Sequence, residues 1–152
     1  MRLYYSNEDI DVKVIKDYNH GIFLAGPTPR SQNVKSWRPE ALEILEDLDY
    51  GGIVWIPEYS ERPKNFNYIR QVEWEKWGLT SCSKVVFWVP RDIVDMPAFT
   101  TNIEFGRYVE KSIYGRPNDA VKCEYLDWLY TDVTCQKPHN DLRKLLKDAI
   151  NE

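Results

Sequence analysis

The stretch KVVFWVP (residues 84–90) is a continuous apolar run that ends in proline. Such a run is typical of a strand that is buried on both faces of a parallel sheet. Two earlier runs have the same form, because GIFLAG (21–26) ends at Gly26-Pro27 and GGIVWIP (51–57) ends at Pro57-Glu58. The three runs therefore predict neighbouring strands of one parallel sheet.

Longer, charge-rich stretches with apolar residues at helical spacing separate these strands and follow them. We predict helices in WRPEALEILEDL (37–48), NYIRQVEWEKWGLTSC (67–82), TTNIEFGRYVEKS (100–112), NDAVKCEYLDWLY (118–130) and HNDLRKLLKDAI (139–150). Asn118 or Asp119 is the expected N-cap of the fourth helix. SIYG (112–115) predicts a further short strand, and RLYYSNEDIDVKVI (2–15) is typical of a β-hairpin. This alternation predicts an α/β fold, with a mostly parallel sheet, helices on both faces and a single domain over residues 1–152.

Composition and charge narrow the classes of partner. The 152 residues are 43% hydrophobic and 29% charged, and the formal net charge is −4. An acidic chain without a Lys/Arg cluster argues against a nucleic-acid partner. No stretch approaches the roughly 20 apolar residues that span a bilayer, and the N-terminus has no signal-peptide pattern. We therefore expect a cytoplasmic protein that binds small molecules or other proteins, with no membrane partner.

Cysteine and histidine spacing predicts neither a disulfide framework nor a metal site. Cys82, Cys123 and Cys135 are widely separated and form no C-x-x-C pair, so we expect buried free thiols. His20 and His139 have no ligand-type neighbour at metal spacing. Because the chain also has neither a G-x-x-x-x-G-K-[ST] nor a G-x-G-x-x-G motif, we predict no metal and no cofactor.

The predicted strand ends locate the candidate site. In an open parallel sheet, ligands bind outside the carboxyl ends of the strands, so the loops after residues 26, 57 and 90 should meet there. Carboxylates are the group that these loops and the next helices supply best: Glu58, Glu61, Glu73, Glu75, Asp92, Asp95 and Glu104. Two carboxylates suffice to cleave a glycosidic bond, since one attacks the anomeric carbon and the other handles the proton of the leaving group.

Glu104 also has a structural interpretation. Thr101-x-x-Glu104 fits a capping box, in which the two side chains bond free backbone N–H groups at a helix start. A carboxylate in the first helical turn would be kept ionised by the helix dipole, so the two roles are compatible. Gly106 inside this helix costs up to about 1 kcal/mol relative to Ala, which predicts a packing or functional reason for it.

Four segments together resemble one protein family. IFLAGP (22–27), VWIPE (54–58), QVEWEKWGLTSCSKVVFWVP (71–90) and NIEFGRYVEK (102–111) are similar to the nucleoside 2-deoxyribosyltransferase-like family, in the expected order. The resemblance implies a flavodoxin-like fold and cleavage of the N-glycosidic bond of 2′-deoxyribonucleosides, with transfer of the sugar to another nucleobase. It also implies a homo-oligomer whose sites are completed by a neighbour, and we place GRPNDA (115–120) near that interface.

The resemblance also implies roles for two acids. Glu104 would be the nucleophile that forms a covalent deoxyribosyl-enzyme, and Glu75 would be the general acid and base. Glu73 precedes Glu75 by two positions, about 200° away around a helix, so only one of them can face the site. We choose Glu75 because it follows Trp74 in the Trp-Glu pair that resembles the family.

Further candidate contacts are assigned by position. The predicted substrate-binding residues are Ala25, Gly26, Pro27, Arg30, Glu58, Tyr59, Asp92 and Asp95. Arg30 would bind a 5′-phosphate or be a surface residue, and Asp92 and Asp95 would bind the ligand or be solvated loop acids. At most two of Trp55, Trp74, Trp77 and Trp88 are expected to stack on a base. Two alternatives to transfer stay open: an N-hydrolase of 2′-deoxynucleosides or their 5′-monophosphates, and a non-catalytic nucleotide-binding module.

Overall fold

The computed structural model describes residues 1–8, 21–60 and 66–151. The strands in these ranges are β1 (Arg2–Tyr5), β2 (Gly21–Ala25), β3 (Ile53–Ile56), β4 (Lys84–Trp88) and β5 (Ser112–Gly115). They form one sheet in the order β1-β3-β2-β4-β5, and every neighbouring pair is parallel. The predicted parallel sheet is confirmed, including the short strand at SIYG.

The helices of the described ranges are α1 (Arg38–Asp47), α2 (Tyr68–Ser81), α3 (Phe99–Tyr108), α4 (Glu124–Thr134) and α5 (Leu142–Asn151). A short 3-10 turn (Val109–Lys111) connects α3 to β5. One hydrophobic core joins the sheet to α2, α3 and α4, and a second core joins it to α1 and α5. The predicted flavodoxin-like arrangement, with helices on both faces, is therefore confirmed. No helix in the described part of the chain has the length and apolarity that crossing a membrane requires.

Strand β2 shows how the sequence builds both cores at once. Successive side chains of a strand point to opposite faces. Ile22 and Leu24 join the core under α1 and α5, whereas Phe23 and Ala25 join the core under α2, α3 and α4. Because all five residues of β2 are buried, a continuous apolar run was needed here.

Glycine at position 78 brings α2 close to the sheet. A Cβ at Gly78 would lie 2.7 Å from the ring of Phe23 and 3.2 Å from the ring of Trp55. No Cβ atom of a folded protein fits at the shorter distance without movement of its neighbour. This contact fixes the height of α2 above β2.

Strand β1 pairs in parallel with β3, with Arg2 opposite Ile53, and forms one edge of the sheet. The second half of the predicted hairpin falls in residues 9–20, outside the described residues. Of the cysteines, Cys82 and Cys123 are buried as predicted, but the prediction is wrong for Cys135, which is exposed.

The predicted start of the fourth helix at Asn118 or Asp119 is wrong, because α4 begins at Glu124. Arg91 explains the difference. Its side chain donates to the carbonyl of Lys122, and its own carbonyl accepts the N–H of Val121 at 3.2 Å. These tertiary contacts hold residues 121 and 122 outside the helix and override the local capping signal.

The outer edge of β5 is covered by the segment before α5. The N–H of His139 donates to the carbonyl of Tyr114, and the N–H of Arg116 donates to the carbonyl of His139, both at 2.9 Å. A Cβ at Gly115 would lie 2.7 Å from the carbonyl oxygen of His139, so glycine permits the approach.

Candidate active site

A cavity of about 230 Å³ opens where β2, β3 and β4 end, between α2 and α3. This is the edge at which open parallel sheets bind ligands. Its lining residues are Gly26, Pro27, Thr28, Arg30, Arg38, Pro57, Tyr68, Gln71, Glu75, Pro97, Ala98, Phe99, Thr100, Thr101 and Glu104. The structure thus brings together five of the residues that we predicted: Gly26, Pro27, Arg30, Glu75 and Glu104.

Glu75 of α2 and Glu104 of α3 face this cavity from neighbouring helices. The pKa of Glu104 is raised to about 8, chiefly by burial and also by the negative charge of Glu75, while Arg38 opposes both effects. Burial also raises the pKa of Glu75, while a hydrogen bond from Gln71 and the charge of Arg38 lower it. The two carboxyl groups therefore act as a coupled pair that retains a proton at neutral pH.

The capping interpretation of Thr101 and Glu104 is wrong. Helix α3 begins at Phe99, and its N-cap is Ala98, which adopts the left-handed conformation with φ of 58° and makes no side-chain capping bond. Thr101 is therefore inside the first turn, and Glu104 is in the second. The helix dipole does not keep Glu104 ionised there, because burial and the neighbouring Glu75 raise its pKa well above the ordinary value of 4.5.

Glu73 points away from the cavity. It is exposed and lies beside Lys76, Trp77 and Thr80 in a recess on the outer side of α2. The geometry of a helix separates residues two positions apart in this way. Of the two neighbouring acids, only Glu75 is placed where it can reach a ligand in the cavity.

Arg38 forms the cationic floor of the cavity, a role that we did not predict. Its side chain is 1% exposed and donates to the carbonyls of Leu24 at 3.0 Å and Gly26 at 2.8 Å. It also bonds the carboxylate of Glu58 at 2.6 Å and the hydroxyl of Thr28 at 3.2 Å. Burial lowers the pKa of Arg38, and Glu58 counteracts that effect. These contacts fix a positive charge whose field acts on both cavity carboxyls.

Glu58 is placed behind the cavity and not in its lining. Its Oε1 accepts from Arg38 and also from the hydroxyl of Ser36 at 2.7 Å. Its backbone carbonyl accepts the N–H of Ser6 at 3.0 Å. The observed contacts of Glu58 are those of a partner for Arg38, and the predicted contact with substrate stays a prediction.

Tyr59 is connected to the cavity by a hydrogen bond to Gln71. Gln71 lines the cavity and was not among the predicted site residues. The hydroxyl of Tyr59 donates to Oε1 of Gln71 at 2.5 Å, and Nε2 of Gln71 donates to Oε1 of Glu75 at 2.9 Å. Gln71 and Glu75 are four residues apart on α2, so they share one side of the helix. The three side chains form a hydrogen-bonded chain that ends at a cavity carboxyl.

The other predicted contact residues differ in whether they line the cavity. Arg30 lines the cavity, with its guanidinium 5.4 Å from the ring centre of Phe99. Asp92 and Asp95 do not line it: Asp92 accepts the N–H of Asp95 at 2.9 Å within its own loop, and the carbonyl of Asp95 accepts the N–H of Arg30 at 2.9 Å. Ala25 is buried in β2 beneath the cavity.

The aromatic residues at the cavity are not the tryptophans that we considered. Trp55, Trp74 and Trp88 are buried in the core, and Trp77 lies in the outer recess of α2. The cavity itself is lined by Tyr68 and Phe99, which are both largely exposed. Among the described residues, no three His, Cys, Asp or Glu side chains are grouped as metal ligands.

Gly26 allows the end of β2 to reach the cavity. Its φ of 145° is strained for other residues, and a Cβ there would lie 2.1 Å from the carbonyl oxygen of Trp88. Its carbonyl is held by Arg38. Glycine in the Ala-Gly-Pro turn is therefore required by backbone geometry, independently of any ligand.

The parallel sheet with helices on both faces defines a flavodoxin-like α/β protein, and its cavity at the carboxyl edge of the sheet brings two carboxyl groups together. The sequence model described as "Nucleoside 2-deoxyribosyltransferase like" matches residues 19–115, more than half of the chain. The chain belongs to this family, and the resemblance noted in the sequence is confirmed. A search of curated proteins gave no match.

Proposed function

We propose that the protein cleaves the N-glycosidic bond of 2′-deoxyribonucleosides through a covalent deoxyribosyl-Glu104 intermediate and transfers the sugar to another nucleobase. The observation that carries this proposal is the pair Glu75 and Glu104, which face one cavity and have raised pKa values. Membership of the nucleoside 2-deoxyribosyltransferase-like family supports it. The pair supplies one nucleophile and one proton, which the first chemical step consumes together.

In the first step, ionised Glu104 attacks C1′ of the sugar while the bond between C1′ and the base nitrogen breaks. Glu75 gives its proton to the leaving base, so the step ends with a glycosyl ester on Glu104 and a carboxylate on Glu75. In the second step, a new base loses its N–H proton to Glu75 as its nitrogen attacks C1′, and Glu104 leaves as a carboxylate. The pair therefore holds one proton before the first step, none while the sugar is bound to Glu104, and one again after the second step.

The raised pKa of Glu104 fits this requirement. At neutral pH the free pair retains a proton because Glu104 titrates at about 8. A base nitrogen that accepts a hydrogen bond from Glu75 would move the shared proton to Glu75 and leave Glu104 ionised. The fixed charge of Arg38 stabilises the single negative charge of the pair in either position.

A second candidate substrate is the 2′-deoxynucleoside 5′-monophosphate, cleaved by water. The observation that favours it is the placement of Arg30 at the rim, beside Thr28, Thr100 and the first turn of α3. The first N–H groups of a helix have no acceptor within the helix and favour anions. A phosphate would therefore find a guanidinium and backbone donors on one side of the cavity.

Product analysis separates these functions. The protein is incubated with deoxyinosine and adenine, and in parallel with deoxyinosine 5′-monophosphate. Deoxyadenosine indicates transfer, hypoxanthine with free deoxyribose indicates hydrolysis, and faster cleavage of the monophosphate indicates the second substrate. No cleavage of any of them, together with thermal stabilisation by nucleotide that persists in Glu104→Ala, favours a non-catalytic binding module.

The nucleophile is tested by trapping with a 2-fluoro-2-deoxy nucleoside, which slows release of the sugar. Mass spectrometry should find the sugar on Glu104 in the wild type and in Glu73→Gln, the exposed control. The adduct should be absent in Glu104→Gln. An adduct on another residue, or an equal yield in Glu104→Gln, would rule out the nucleophile assignment.

We also propose a homo-oligomer, as the family resemblance led us to expect. The outer surfaces of α2, α3 and α4 expose large apolar side chains, including Ile69, Trp77, Ile103 and Trp128. Surfaces of this kind commonly mark contacts between proteins. Sedimentation velocity tests the proposal, and a single monomeric species over a wide concentration range would contradict it. The single domain over residues 1–152, the interface near residues 115–120 and the cytoplasmic location stay predictions.

A further inference from the structure

The side chain of Gln71 contacts the carboxyl that is proposed to handle the proton. Nε2 of Gln71 donates to Oε1 of Glu75 at 2.9 Å, and both residues lie on the side of α2 that lines the cavity. An ionised carboxylate only accepts hydrogen bonds, whereas a carboxylic acid also donates one. An amide N–H directed at Glu75 therefore favours its ionised form.

Tyr59 fixes which end of the Gln71 amide faces Glu75. Its hydroxyl donates to the amide oxygen, which leaves the amide nitrogen for the carboxylate. The ring of Tyr59 is itself held edge to face against Phe66, with ring centres 6.1 Å apart. Since a rotation of the amide would break both hydrogen bonds, the chain from Tyr59 to Glu75 has one preferred direction.

The carboxyl of Glu104 differs from that of Glu75 in its hydrogen bonding. Within the described part of the chain no donor bonds its carboxyl, and its pKa is higher than its ordinary value by burial and by the charge of Glu75. The charged and titratable groups that act on Glu75 are Arg38 of α1, Glu104 of α3 and Tyr59 after β3. Gln71 is the neutral donor that distinguishes the two carboxyls.

We infer that Gln71, oriented by Tyr59, is a positioning residue that holds the Glu75 carboxyl toward the cavity and stabilises its ionised form. This inference rests on the proposed function and deepens it. Glu75 becomes a carboxylate each time it gives its proton to the leaving base, and Gln71 stabilises that product of the transfer. Loss of the donor raises the pKa of Glu75, so the fully protonated and inactive pair persists to higher pH.

Direct titration of Glu75 tests the inference without reliance on activity. Protein labelled with ¹³C at the glutamate carboxyl carbon is titrated by NMR, and signals are assigned with Glu75→Gln and Glu104→Gln. In Gln71→Met the pKa of Glu75 should rise by about one unit, as expected for loss of a hydrogen bond to a charged group. Tyr59→Phe should give a smaller rise, and the matched control Lys76→Met, on the exposed side of α2, should give none.

Kinetics give the second readout. In Gln71→Met the acid limb of kcat/KM against pH should move upward by the same amount as the NMR titration. An unchanged pKa of Glu75 in a folded Gln71→Met protein would overturn the inference, whatever the activity. If the wild type cleaves no nucleoside while the NMR shift occurs, the proposed function fails and the positioning of Glu75 by Gln71 stands.

Discussion

The two helix layers that cover the sheet differ in what they expose and in what they supply to the cavity. The layer of α1 and α5 has a charged outer surface, with Glu43, Asp47, Arg143 and Lys147 exposed. The layer of α2, α3 and α4 exposes large apolar side chains instead. At the cavity, the first layer supplies the fixed cation Arg38, whereas the second supplies both carboxyls and Gln71. We therefore distinguish an anchoring layer, which holds Arg38, from a reactive layer, which holds the two proposed catalytic carboxyls. Substitutions in each layer should have different consequences.

The largest expected effect is loss of activity in the reactive layer. Glu104→Gln keeps the size of the side chain but removes the proposed nucleophile, so kcat/KM for nucleoside cleavage should fall by about 10⁴-fold or more. Circular dichroism should show an intact fold. Steady-state assays of the matched variant Glu73→Gln, on the exposed side of α2, should match the wild type. Activity of Glu104→Gln within about tenfold of the wild type would contradict the separation of roles.

The next largest effect is a loss of stability when Arg38 is replaced. Arg38→Met leaves the half-buried Glu58 without its cation and the carbonyls of Leu24 and Gly26 without a donor. Breaking a buried ion pair costs about 3–5 kcal/mol, and we expect a loss of this size in the free energy of unfolding measured with urea.

The matched control is an exposed pair of the same layer. Arg143 and Asp47 are also 2.6 Å apart, but their side chains are 51% and 63% exposed. Arg143→Met should therefore cost at most about 1 kcal/mol. Equal losses in Arg38→Met and Arg143→Met would show that burial of the first pair does not matter to the fold.

Two glycines of the reactive layer should respond with opposite signs. Gly78→Ala places a methyl group 2.7 Å from the ring of Phe23 and should cost about 1–3 kcal/mol of unfolding free energy. A Cβ at Gly106 meets nothing within 4 Å in the described structure, so Gly106→Ala should stabilise by up to about 1 kcal/mol. Thermal or urea unfolding checks both. A destabilised Gly106→Ala would indicate that another chain or a ligand occupies that space.

The smallest effect is the dependence of stability on pH. Because the folded protein raises the pKa of Glu104 from 4.5 to about 8, it binds more protons than the unfolded chain between these values. Wild-type stability should therefore fall as pH rises through this range. Glu104→Gln imitates the protonated form, so its stability relative to the wild type should increase by about 1 kcal/mol between pH 5 and pH 6. Urea unfolding at the two pH values measures this, with Glu73→Gln expected to show no such change.

The sequence predicted the sheet and the location of the cavity because these depend on short-range patterns. Continuous apolar runs ended by Gly-Pro or Pro marked three buried strands, and parallel strands share one carboxyl edge. The spacing of Glu73 and Glu75 correctly implied that only one of them faces that edge. The catalytic roles of Glu75 and Glu104 stay predictions that the placement of both side chains supports.

The parts that were missed depend on contacts between distant residues. The left-handed Ala98 begins α3 one turn earlier than the Thr-x-x-Glu spacing suggested, and Arg91 delays the start of α4. Two features of the sequence could have indicated the roles of Arg38 and Gln71. Arg38 is the first residue of a helix, where a cation is disfavoured unless it has partners, and Gln71 stands four residues before Glu75.

The cover over β5 has a consequence for shortened forms of the chain. Residues around His139 provide both backbone hydrogen bonds to the outer edge of β5, while all lining residues of the cavity lie between Gly26 and Glu104. A chain that ends before this segment would keep every cavity residue but expose an unpaired strand edge, which is a template for pairing with other chains. The segment around His139 therefore closes an edge that would otherwise be open to pairing with another chain, and it lies outside the cavity lining.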